Sequence, residues 1–411
     1  MLRILSIVII SHLIAQPLWA DCGSTDQFYS VVRDTMARGF TSEANGQITL
    51  NNKILGTPVI GPEKIFAEMA RLITSAEKQI LFQTWRFDYN SLPARYLAGG
   101  LRKLAELKRL RGDRTPVDVW FMINVIDSQS RSTERKELEQ YLKYHELNNQ
   151  WVRMHIGIFN ADFLAANHAK NLIIDNKVAM VTGANASEYF EEGGMFDVGY
   201  NISGEVVDVM SDDFVQVWKN HVSNEVKPTK LSPVRVSSCR PILFTRNQSF
   251  SQLSTRIRES SINTAMIRAI NAAKKSIDIL TPNLNVPAFK EAINEAIKRK
   301  VTVRIVLSKG HEAFGEDMPT RGGNNLKNVE RIYRSLGTHA NRPYLCHYLK
   351  IRWNSRDGKK AHKGTRGNSH AKYMSVDKQI YYIGSANMDN QSWVNSREIG
   401  LFVDANNEVR K

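Results

Sequence analysis

The chain has 411 residues, which suits about two domains of ordinary size. Hydrophobic residues make up 42% of it, so a large core can be buried and extensive disorder is excluded. The formal net charge is +15, and a charge of this size favours anionic partners such as phospholipid surfaces, nucleic acid or phosphate esters.

The N-terminal segment has the pattern of a secretory signal peptide. Arg3 precedes a mostly aliphatic run from Ile4 to Ala15, and the small residue Ala20 ends the segment. The run of about 12 residues is shorter than the roughly 20 that cross a bilayer, so an uncleaved anchor helix is the weaker alternative. We therefore expect residues 1–20 to be removed and the mature protein to be secreted or periplasmic.

Cysteines and short metal or nucleotide motifs add little. Cys22, Cys239 and Cys346 allow at most one intramolecular disulfide, and the sequence leaves its pairing open. The sequence contains no CxxC, HExxH, GxxxxGK or GxGxxG pattern. We expect neither a metal site nor a bound cofactor.

The chain repeats itself. The pattern M-x-R-x-I-x-x-A-x-K-x-I spans Met69–Ile80 and recurs 197 residues later at Met266–Ile277. Each copy predicts an amphipathic helix that leads into a short apolar strand. The two strands are predicted at Gln79–Trp85 and Ser276–Thr281.

A second helix and strand follow in each half. Helix Leu97–Leu110 precedes strand Val117–Ile123, and helix Ala288–Lys298 precedes strand Val301–Leu307. This alternation is typical of βαβ units with a largely parallel sheet. The predicted fold class is therefore α/β, with two homologous α/β/α domains whose mostly parallel or mixed sheets are related by a pseudo-twofold axis.

The two halves also close alike, because Asp197–Ile202 matches Glu398–Val403. Between them lies a polar stretch that contains three prolines and has weak periodicity, which is typical of a linker. The predicted organisation is a leader at 21–50, a first domain at 51–222, a linker at 223–247 and a second domain at 248–411.

The strongest signal is a motif present once in each half. The pattern HxKxxxxD begins at His168 and again at His370, 202 residues later. In each copy an Asn follows the final Asp by ten residues. Two copies at matching places of a duplicated domain indicate a shared function rather than coincidence. The other motif residues are Lys170, Asp175 and Asn185 in the first copy, and Lys372, Asp377 and Asn387 in the second.

Histidine and lysine at this spacing suit phosphate chemistry. Alternate side chains of a strand share one face, so the His and the Lys of each motif point the same way. If the pseudo-twofold axis brings the motifs together, the lysines and asparagines can hold phosphate oxygens at one point. One imidazole can then attack phosphorus while the other protonates the leaving alkoxide, and water activated by the second histidine can cleave the phosphohistidine.

With these paired motifs, the chain resembles the phospholipase D superfamily over roughly residues 55 to 405. The stretch Gly384–Ser392 is especially similar to the second motif of that family. The resemblance implies a single site between the two domains, a phosphohistidine intermediate and usually no metal requirement. By that analogy His168 is the nucleophile and His370 the general acid.

Four acidic residues accompany the motifs. The resemblance implies that Asp197 and Glu398 stand where the family places a carboxylate that orients a catalytic histidine. Asp175 and Asp377 lie an odd number of positions from their histidines, so they should face the other side of the strand and have a structural role.

A basic segment precedes the second motif. Between Lys350 and Arg366 the sequence has seven Lys or Arg residues and one acid. Such a segment is either a solvated loop or a rim that gathers anionic substrate or contacts anionic lipid. The candidate substrate-binding residues are Lys359, Lys360, Lys363 and Trp353.

The function predicted first is a secreted phosphodiesterase of phospholipase D type, which cleaves the headgroup ester of phospholipids and can transfer the phosphatidyl group to alcohols. One alternative is an endonuclease of the same superfamily, acting on DNA or RNA. A further alternative is a phosphatidyltransferase that resembles cardiolipin synthases, and the last is an inactive membrane-binding module. A monomer is expected, because one chain carries both motifs.

Overall fold

The computed structural model describes residues 22–124, 131–159, 164–191, 193–223, 225–251, 257–337, 347–355, 358–361 and 367–405. The helices are α1 (Asp26–Met36), α2 (Pro62–Ile73), α3 (Leu92–Leu110), α4 (Arg131–Tyr144), α5 (Glu205–His221), α6 (Ser261–Ala272), α7 (Pro287–Lys298), α8 (Ala313–Glu316) and α9 (Asn325–Gly337). The strands of the first half are β2 (Asn52–Ile60), β3 (Gln79–Thr84), β4 (Val117–Asn124), β5 (Val152–Phe159), β6 (Ala166–Asn167), β7 (Asn171–Ile174), β8 (Val178–Thr182) and β9 (Val198–Gly204). The remaining strands are β1 (Gln47–Thr49), β10 (Ile242–Asn247), β11 (Ser276–Thr281), β12 (Thr302–Leu307), β13 (Leu349–Trp353), β14 (Tyr373–Val376), β15 (Ile380–Gly384) and β16 (Ser396–Asp404).

The first half forms a mixed sheet in the order β2-β9-β8-β7-β3-β4-β5. Strands β3, β4 and β5 are parallel, as the alternation of helices and strands predicts. Strands β7, β8, β9 and β2 are antiparallel to their neighbours. The sheet is thus mixed rather than largely parallel, because the short connections after the motif allow only antiparallel pairing.

The second half repeats this sheet in the order β10-β16-β15-β14-β11-β12-β13. Strand β1 adds to its edge by pairing with β10. Strands β1 and β10 fall in the predicted leader and the predicted linker, so 21–50 and 223–247 are not merely connecting segments. Residues Ile242–Asn247 belong to the second sheet, since β10 pairs with β16 along its whole length.

Local sequence explains where several helices begin. The Ser91 side chain accepts a hydrogen bond from the Ala94 amide at 3.2 Å and begins α3. Ser260 does the same for the Asn263 amide at 3.3 Å and begins α6. In α2 and α7 a proline occupies the first helical position, where no amide hydrogen is needed.

The helices enclose the two sheets in layers. Helices α2, α3 and α4 pack on the outer face of the first sheet, and α1, α6, α7 and α9 pack on the outer face of the second. Helix α5 lies between the sheets, where Val207 and Phe214 share a core with Phe244 and Leu401. This shared apolar core fixes the halves against each other.

Polar links reinforce the junction. Asp213 on α5 forms a buried ion pair with Arg397, and its second oxygen lies 3.0 Å from Arg246. A disulfide joins Cys22 to Cys239, which settles the pairing that the sequence left open. Within the described ranges, no helix has both the length and the apolar character needed to cross a bilayer.

Candidate active site

The two HxK segments lie where the halves meet, and the backbone of each segment forms a hydrogen bond with the other half. The amide of His168 donates to the carbonyl of Arg397 at 2.8 Å, next to the parallel pairing of β6 with β16. The amide of His370 donates to the carbonyl of Phe196 at 2.7 Å. Each histidine is therefore fixed beside the acidic residue that follows its partner, Glu398 or Asp197.

Each histidine also contacts a carboxylate of the other half. Nδ1 of His168 lies 2.9 Å from Glu398 Oε1, and Nδ1 of His370 lies 3.0 Å from Asp197 Oδ2. Ionised Glu398 can only accept, so Nδ1 of His168 carries the proton and Nε2 of His168 is left for the substrate. Both ring nitrogens of His370 also lie within hydrogen-bond distance of Lys372 Nζ. The structure thus places one of the predicted carboxylates beside each histidine. The two members of each pair come from different halves of the same chain.

The two lysines are buried beside the histidines. Lys170 Nζ donates to the carbonyl of His168 at 2.5 Å, and Lys372 Nζ donates to the carbonyl of His370. Lys372 Nζ also lies 2.9 Å from Nε2 of His370. Both lysine side chains are almost wholly inaccessible to solvent. The structure thus brings the four predicted His and Lys side chains into one buried cluster.

Gly183, in the turn of the first motif, permits this close approach. A Cβ atom at this position would lie 2.8 Å from both Asp197 Oδ2 and the Lys372 side chain. Such a contact is shorter than folded proteins tolerate, so a glycine is needed where the second-half lysine meets the first-half carboxylate.

Burial governs the titration of the basic groups. It lowers the pKa of His168 below the ordinary 6.5, although the Glu398 charge opposes it, and it lowers the pKa of His370 further, with help from Lys372. Burial also lowers the pKa of Lys170 well below its ordinary value and that of Lys372 to about 8. A bound phosphate anion would favour the charged form of all four groups.

The two carboxylates differ in their protonation. Burial raises the pKa of Asp197 above its ordinary value. Burial acts in the same direction on Glu398, but His168, Lys170 and Ser385 outweigh it and hold the pKa of Glu398 below its ordinary value. Ser385 Oγ donates to Glu398 Oε2 at 2.5 Å. Glu398 is therefore the firmly ionised member of the pair, and it faces His168.

Asn185 and Asn387 are buried at the ends of the turns that follow the motifs. Asn387 Nδ2 donates to Asp389 Oδ2 at 2.9 Å. Oδ1 of both asparagines is buried without a hydrogen-bond partner among the described residues. Because buried amide groups are normally paired, these two groups retain capacity for a substrate.

Asp175 and Asp377 lie away from the cluster and organise the hairpins. Asp175 accepts hydrogen bonds from the amides of residues 77, 78 and 79, each at 2.8 Å. Asp377 accepts from the amides of residues 274, 275 and 276, each at 2.7 Å. These contacts agree with the structural role that the spacing predicts for both residues.

The basic segment is described only in part. Lys359 and Lys360 are exposed, whereas Lys363, Arg356 and Arg366 lie outside the described residues. Trp353 ends β13 and packs against the core of the second half. The structure therefore does not place Trp353 among the lysines as a substrate-contacting side chain, because its ring is used in packing.

A cavity of about 640 Å³ separates the halves beside the histidine cluster. Its wall includes Phe196 and Ser369, which are neighbours in sequence of Asp197 and His370, and it also includes Asn354 and Ser355 of the basic segment. Apolar residues from both sheets complete the wall, among them Ile60, Leu280 and Val306. The cavity is thus lined by both halves and by sequence neighbours of two site residues.

Sequence reasoning missed several residues of the site. The ring of Trp85 lies 5.5 Å from that of His168, and the ring of Phe190 lies 5.1 Å from that of His370. A third histidine, His311, lies with its ring 5.6 Å from His370. It belongs to no repeated pattern, so no spacing could have found it. Among the described residues, no group of three or more His, Cys, Asp or Glu side chains is arranged to hold a metal ion.

The second half of the chain is similar to a known protein family. Residues 266–411 match the family described as "Cardiolipin synthase, PLD-like domain". This part of the chain is therefore similar to a phospholipase D-like domain. This match contains the second motif and supports the phospholipase D superfamily, to which the paired motifs point.

Individual proteins agree with the family match. The chain is 23% identical over 384 residues to the probable cardiolipin synthase YwiE of Bacillus subtilis, which covers 90% of this chain and 67% of that protein. It is 24% identical over 250 residues to cardiolipin synthase A of Buchnera aphidicola, covering 58% of this chain and 45% of the relative. The chain therefore spans about two thirds of the length of the Bacillus protein and less than half of the length of the Buchnera protein.

A solved structure shares the fold. Phosphatidylserine synthase of Haemophilus influenzae superposes with a TM-score of 0.64 at 14% identity, over 93% of this chain and 87% of that chain. The two-sheet α/β architecture predicted from the repeats is thus confirmed. At this level of identity the likeness concerns the fold alone.

Proposed function

We propose that this protein is a phosphatidyltransferase of cardiolipin synthase type. It would move a phosphatidyl group from one phospholipid to a hydroxyl group of another through a phosphohistidine. The observation that carries the proposal is the crossed geometry, in which Glu398 contacts His168 and Asp197 contacts His370. The family match and the two curated relatives favour transfer over the hydrolysis that the sequence placed first.

The first step forms the intermediate. Nε2 of His168 attacks phosphorus, and the bond from phosphorus to the headgroup oxygen breaks as doubly protonated His370, the form that a bound phosphate favours, gives that oxygen the proton on Nε2. Ionised Glu398 stabilises the positive ring of the phosphorylated His168, which agrees with its assignment as nucleophile. The two lysines hold the phosphate oxygens by donating hydrogen bonds to them.

The second step consumes the intermediate. A lipid hydroxyl gives its proton to Nε2 of His370 while its oxygen bonds to phosphorus. The phosphorus–nitrogen bond breaks, and its electron pair returns to His168. With phosphatidylglycerol as both donor and acceptor, the products are cardiolipin and glycerol. Water in place of the hydroxyl would give phosphatidic acid, which is the outcome of the hydrolase alternative.

One assay tests this proposal. Purified protein is given phosphatidylglycerol vesicles, phosphatidylcholine vesicles, plasmid DNA and bis(p-nitrophenyl) phosphate in parallel, with EDTA present. We expect cardiolipin to be the main lipid product and the DNA to remain uncut. His168→Ala and His370→Ala should each abolish turnover, because the two residues act as one unit. Phosphatidic acid as the main product, or nicked plasmid without lipid turnover, would replace the transferase by one of its alternatives.

We also propose that the protein acts outside the cytoplasm, after removal of residues 1–20. The disulfide between Cys22 and Cys239 supports this, because such bonds persist in oxidising compartments. N-terminal sequencing of exported protein should find a start at or near Asp21. A start at Met1 in a membrane fraction would overturn the proposal.

A further inference from the structure

His311 is a third histidine at the reacting centre. It follows β12 and is 4% exposed, with its ring 5.6 Å from the ring of His370. The segment that carries it is tied to the second motif, since Ser308 Oγ donates to the carbonyl of Ser369. Asn325 Nδ2 holds the same segment by donating to the carbonyl of Ser308 at 2.8 Å. The position of His311 is therefore built into the fold.

One nitrogen of the His311 ring lacks a polar partner in the part of the chain that the structure describes. Its Nδ1 atom is buried and has no hydrogen-bond partner among the residues that the structure describes. Leaving a buried polar nitrogen unpaired destabilises a folded protein. Buried polar groups in folded proteins are normally satisfied, so an unpaired nitrogen beside the general acid points to a ligand.

The charge state of His311 indicates what kind of ligand group it suits. Burial and the nearby charge of Lys372 lower the pKa of His311 to about 4, so the ring is neutral at pH 7. A neutral imidazole offers one donor and one acceptor, which matches a hydroxyl group. A phosphate oxygen would instead be held by the cationic side chains of Lys170 and Lys372.

The surroundings extend this uncharged polar character. Glu316 on α8 accepts hydrogen bonds from Asn283 Nδ2 at 3.2 Å and from Asn285 Nδ2. Burial and the charge of Asp389 raise the pKa of Glu316 to about 9, so this carboxyl group is protonated at pH 7. Asp389 connects these residues to the catalytic cluster through its hydrogen bond with Asn387.

We propose that His311 binds the hydroxyl group of the alcohol acceptor beside His370, and so favours transfer of the phosphatidyl group over hydrolysis. This rests on the proposed function and adds the residue that selects the acceptor. In the second step the bound hydroxyl gives its proton to His370 while its oxygen bonds to phosphorus, so His311 itself gains and loses no proton.

The experiment measures how the intermediate divides between alcohol and water. Bis(p-nitrophenyl) phosphate serves as a soluble donor with increasing glycerol, and phosphatidylglycerol vesicles serve as the lipid donor. His311→Phe keeps a ring of similar size but no polar atom, and His311→Gln restores a donor and an acceptor. The matched control is His145→Phe, since His145, which directly follows α4, also has a buried Nδ1 with no partner among the described residues.

We expect His311→Phe to lower the ratio of transfer to hydrolysis about tenfold and to raise the KM for glycerol, while release of the first p-nitrophenol stays within about threefold of the wild-type rate. His311→Gln should recover part of the ratio, and the control should leave it unchanged. An unchanged ratio in His311→Phe would overturn the inference. So would an equal loss of the first step, which would make His311 a support for His370. Absence of transfer in the wild-type protein would instead refute the proposed function. This outcome is distinguishable because the wild-type assay alone reveals it.

Discussion

At the scale of single residues, the site depends on side chains that cross between the halves. Glu398 and His168 are 230 positions apart, and Asp197 and His370 are 173 positions apart. Ionised Glu398 fixes the tautomer of the His168 ring, whose other nitrogen is the one that attacks phosphorus. Neither half contains both a histidine and the carboxylate that contacts it. The chemistry therefore requires both halves to be folded and packed against each other.

Removing the charge of Glu398 tests this dependence. We expect Glu398→Gln to lower kcat on the soluble diester about 100-fold, equal to about 2.7 kcal/mol of barrier, because the phosphorylated ring of His168 loses its counter-charge. Glu139→Gln, at an exposed position of α4, is the control and should be silent. Steady-state kinetics with trapping of the phosphoenzyme give the readout. A kcat above one third of the wild-type value would show that Glu398 does not support the intermediate.

The buried histidines also predict how stability changes with pH. The pKa of His311 is lowered from 6.5 to about 4, so between these values the unfolded chain binds a proton that the folded chain does not. Its contribution to the free energy of unfolding is thus present above pH 6.5 and is lost as the pH falls towards 4. The loss amounts to about 2 kcal/mol at pH 5.

His311→Phe should therefore reduce the fall in unfolding free energy between pH 7 and pH 5 by about 2 kcal/mol. His168 and His370 contribute in the same direction and leave a residual slope, since burial lowers their pKa values too. Denaturant titrations of both proteins at the two pH values give the comparison. Equal falls in the wild-type and variant proteins would mean that His311 titrates normally in the folded state.

At the scale of elements, the final Asp of each motif stabilises a hairpin rather than the reaction. Asp175 and Asn176 have φ values of 51° and 56°, and Asp377 and Lys378 have 54° and 56°. Two consecutive residues with positive φ form the tight turn that suits a β-hairpin, and Asp tolerates this conformation. The carboxylate then pairs with three amides at the start of β3 or β11, which joins the hairpin to the parallel part of the sheet.

Asp175→Asn separates the structural role from a chemical one. The amide tolerates the same turn, but its NH₂ group faces backbone N–H groups that need an acceptor. We expect a loss of about 2 kcal/mol in unfolding free energy, while kcat of the folded protein stays within about threefold of wild type. Asp34→Asn, in a surface ion pair with Arg33, serves as the control. A collapse of kcat with unchanged stability would place Asp175 in the chemistry.

At the scale of the whole molecule, repetition made the fold predictable and pairing across the halves did not. The repeated helix and strand patterns located α2, β3, α6 and β11, because hydrophobic period and spacing are local properties of the sequence. The sequence predicts a linker where β10 lies, because Pro241 and the polar residues before it are typical of a connecting segment and the apolar run of β10 is short. Its stability comes from pairing with β16, which no local pattern records.

The site shows the same division. The motifs predicted which His, Lys and Asn side chains gather, because a duplicated pattern implies a duplicated place. They did not predict which carboxylate serves which histidine, since that depends on how the two sheets dock around α5. His311 escaped notice for the same reason, because its role arises from a contact with a residue 59 positions away rather than from spacing.

The net charge of +15 leads to a prediction about substrate capture. Lys359 and Lys360 are exposed on the segment that continues from the cavity wall, and each basic residue near an anionic bilayer is worth about 1 kcal/mol. Replacing both with Ala should therefore raise the KM for phosphatidylglycerol vesicles about 30-fold at low salt. The soluble diester should be turned over at the wild-type rate, because it needs only the His, Lys and Asn cluster.

Arg109→Ala with Arg111→Ala is the matched control. These exposed residues lie at the end of α3 and just beyond it, so they change the net charge equally but outside the basic segment. We expect the control to leave the vesicle KM nearly unchanged. The lysine effect should shrink in 0.5 M salt, because the screening length falls below the ~8 Å of physiological ionic strength. Equal losses in both double variants would mean that overall charge, and not this segment, attracts the membrane. A loss on the soluble diester would show that the segment shapes the catalytic cluster itself.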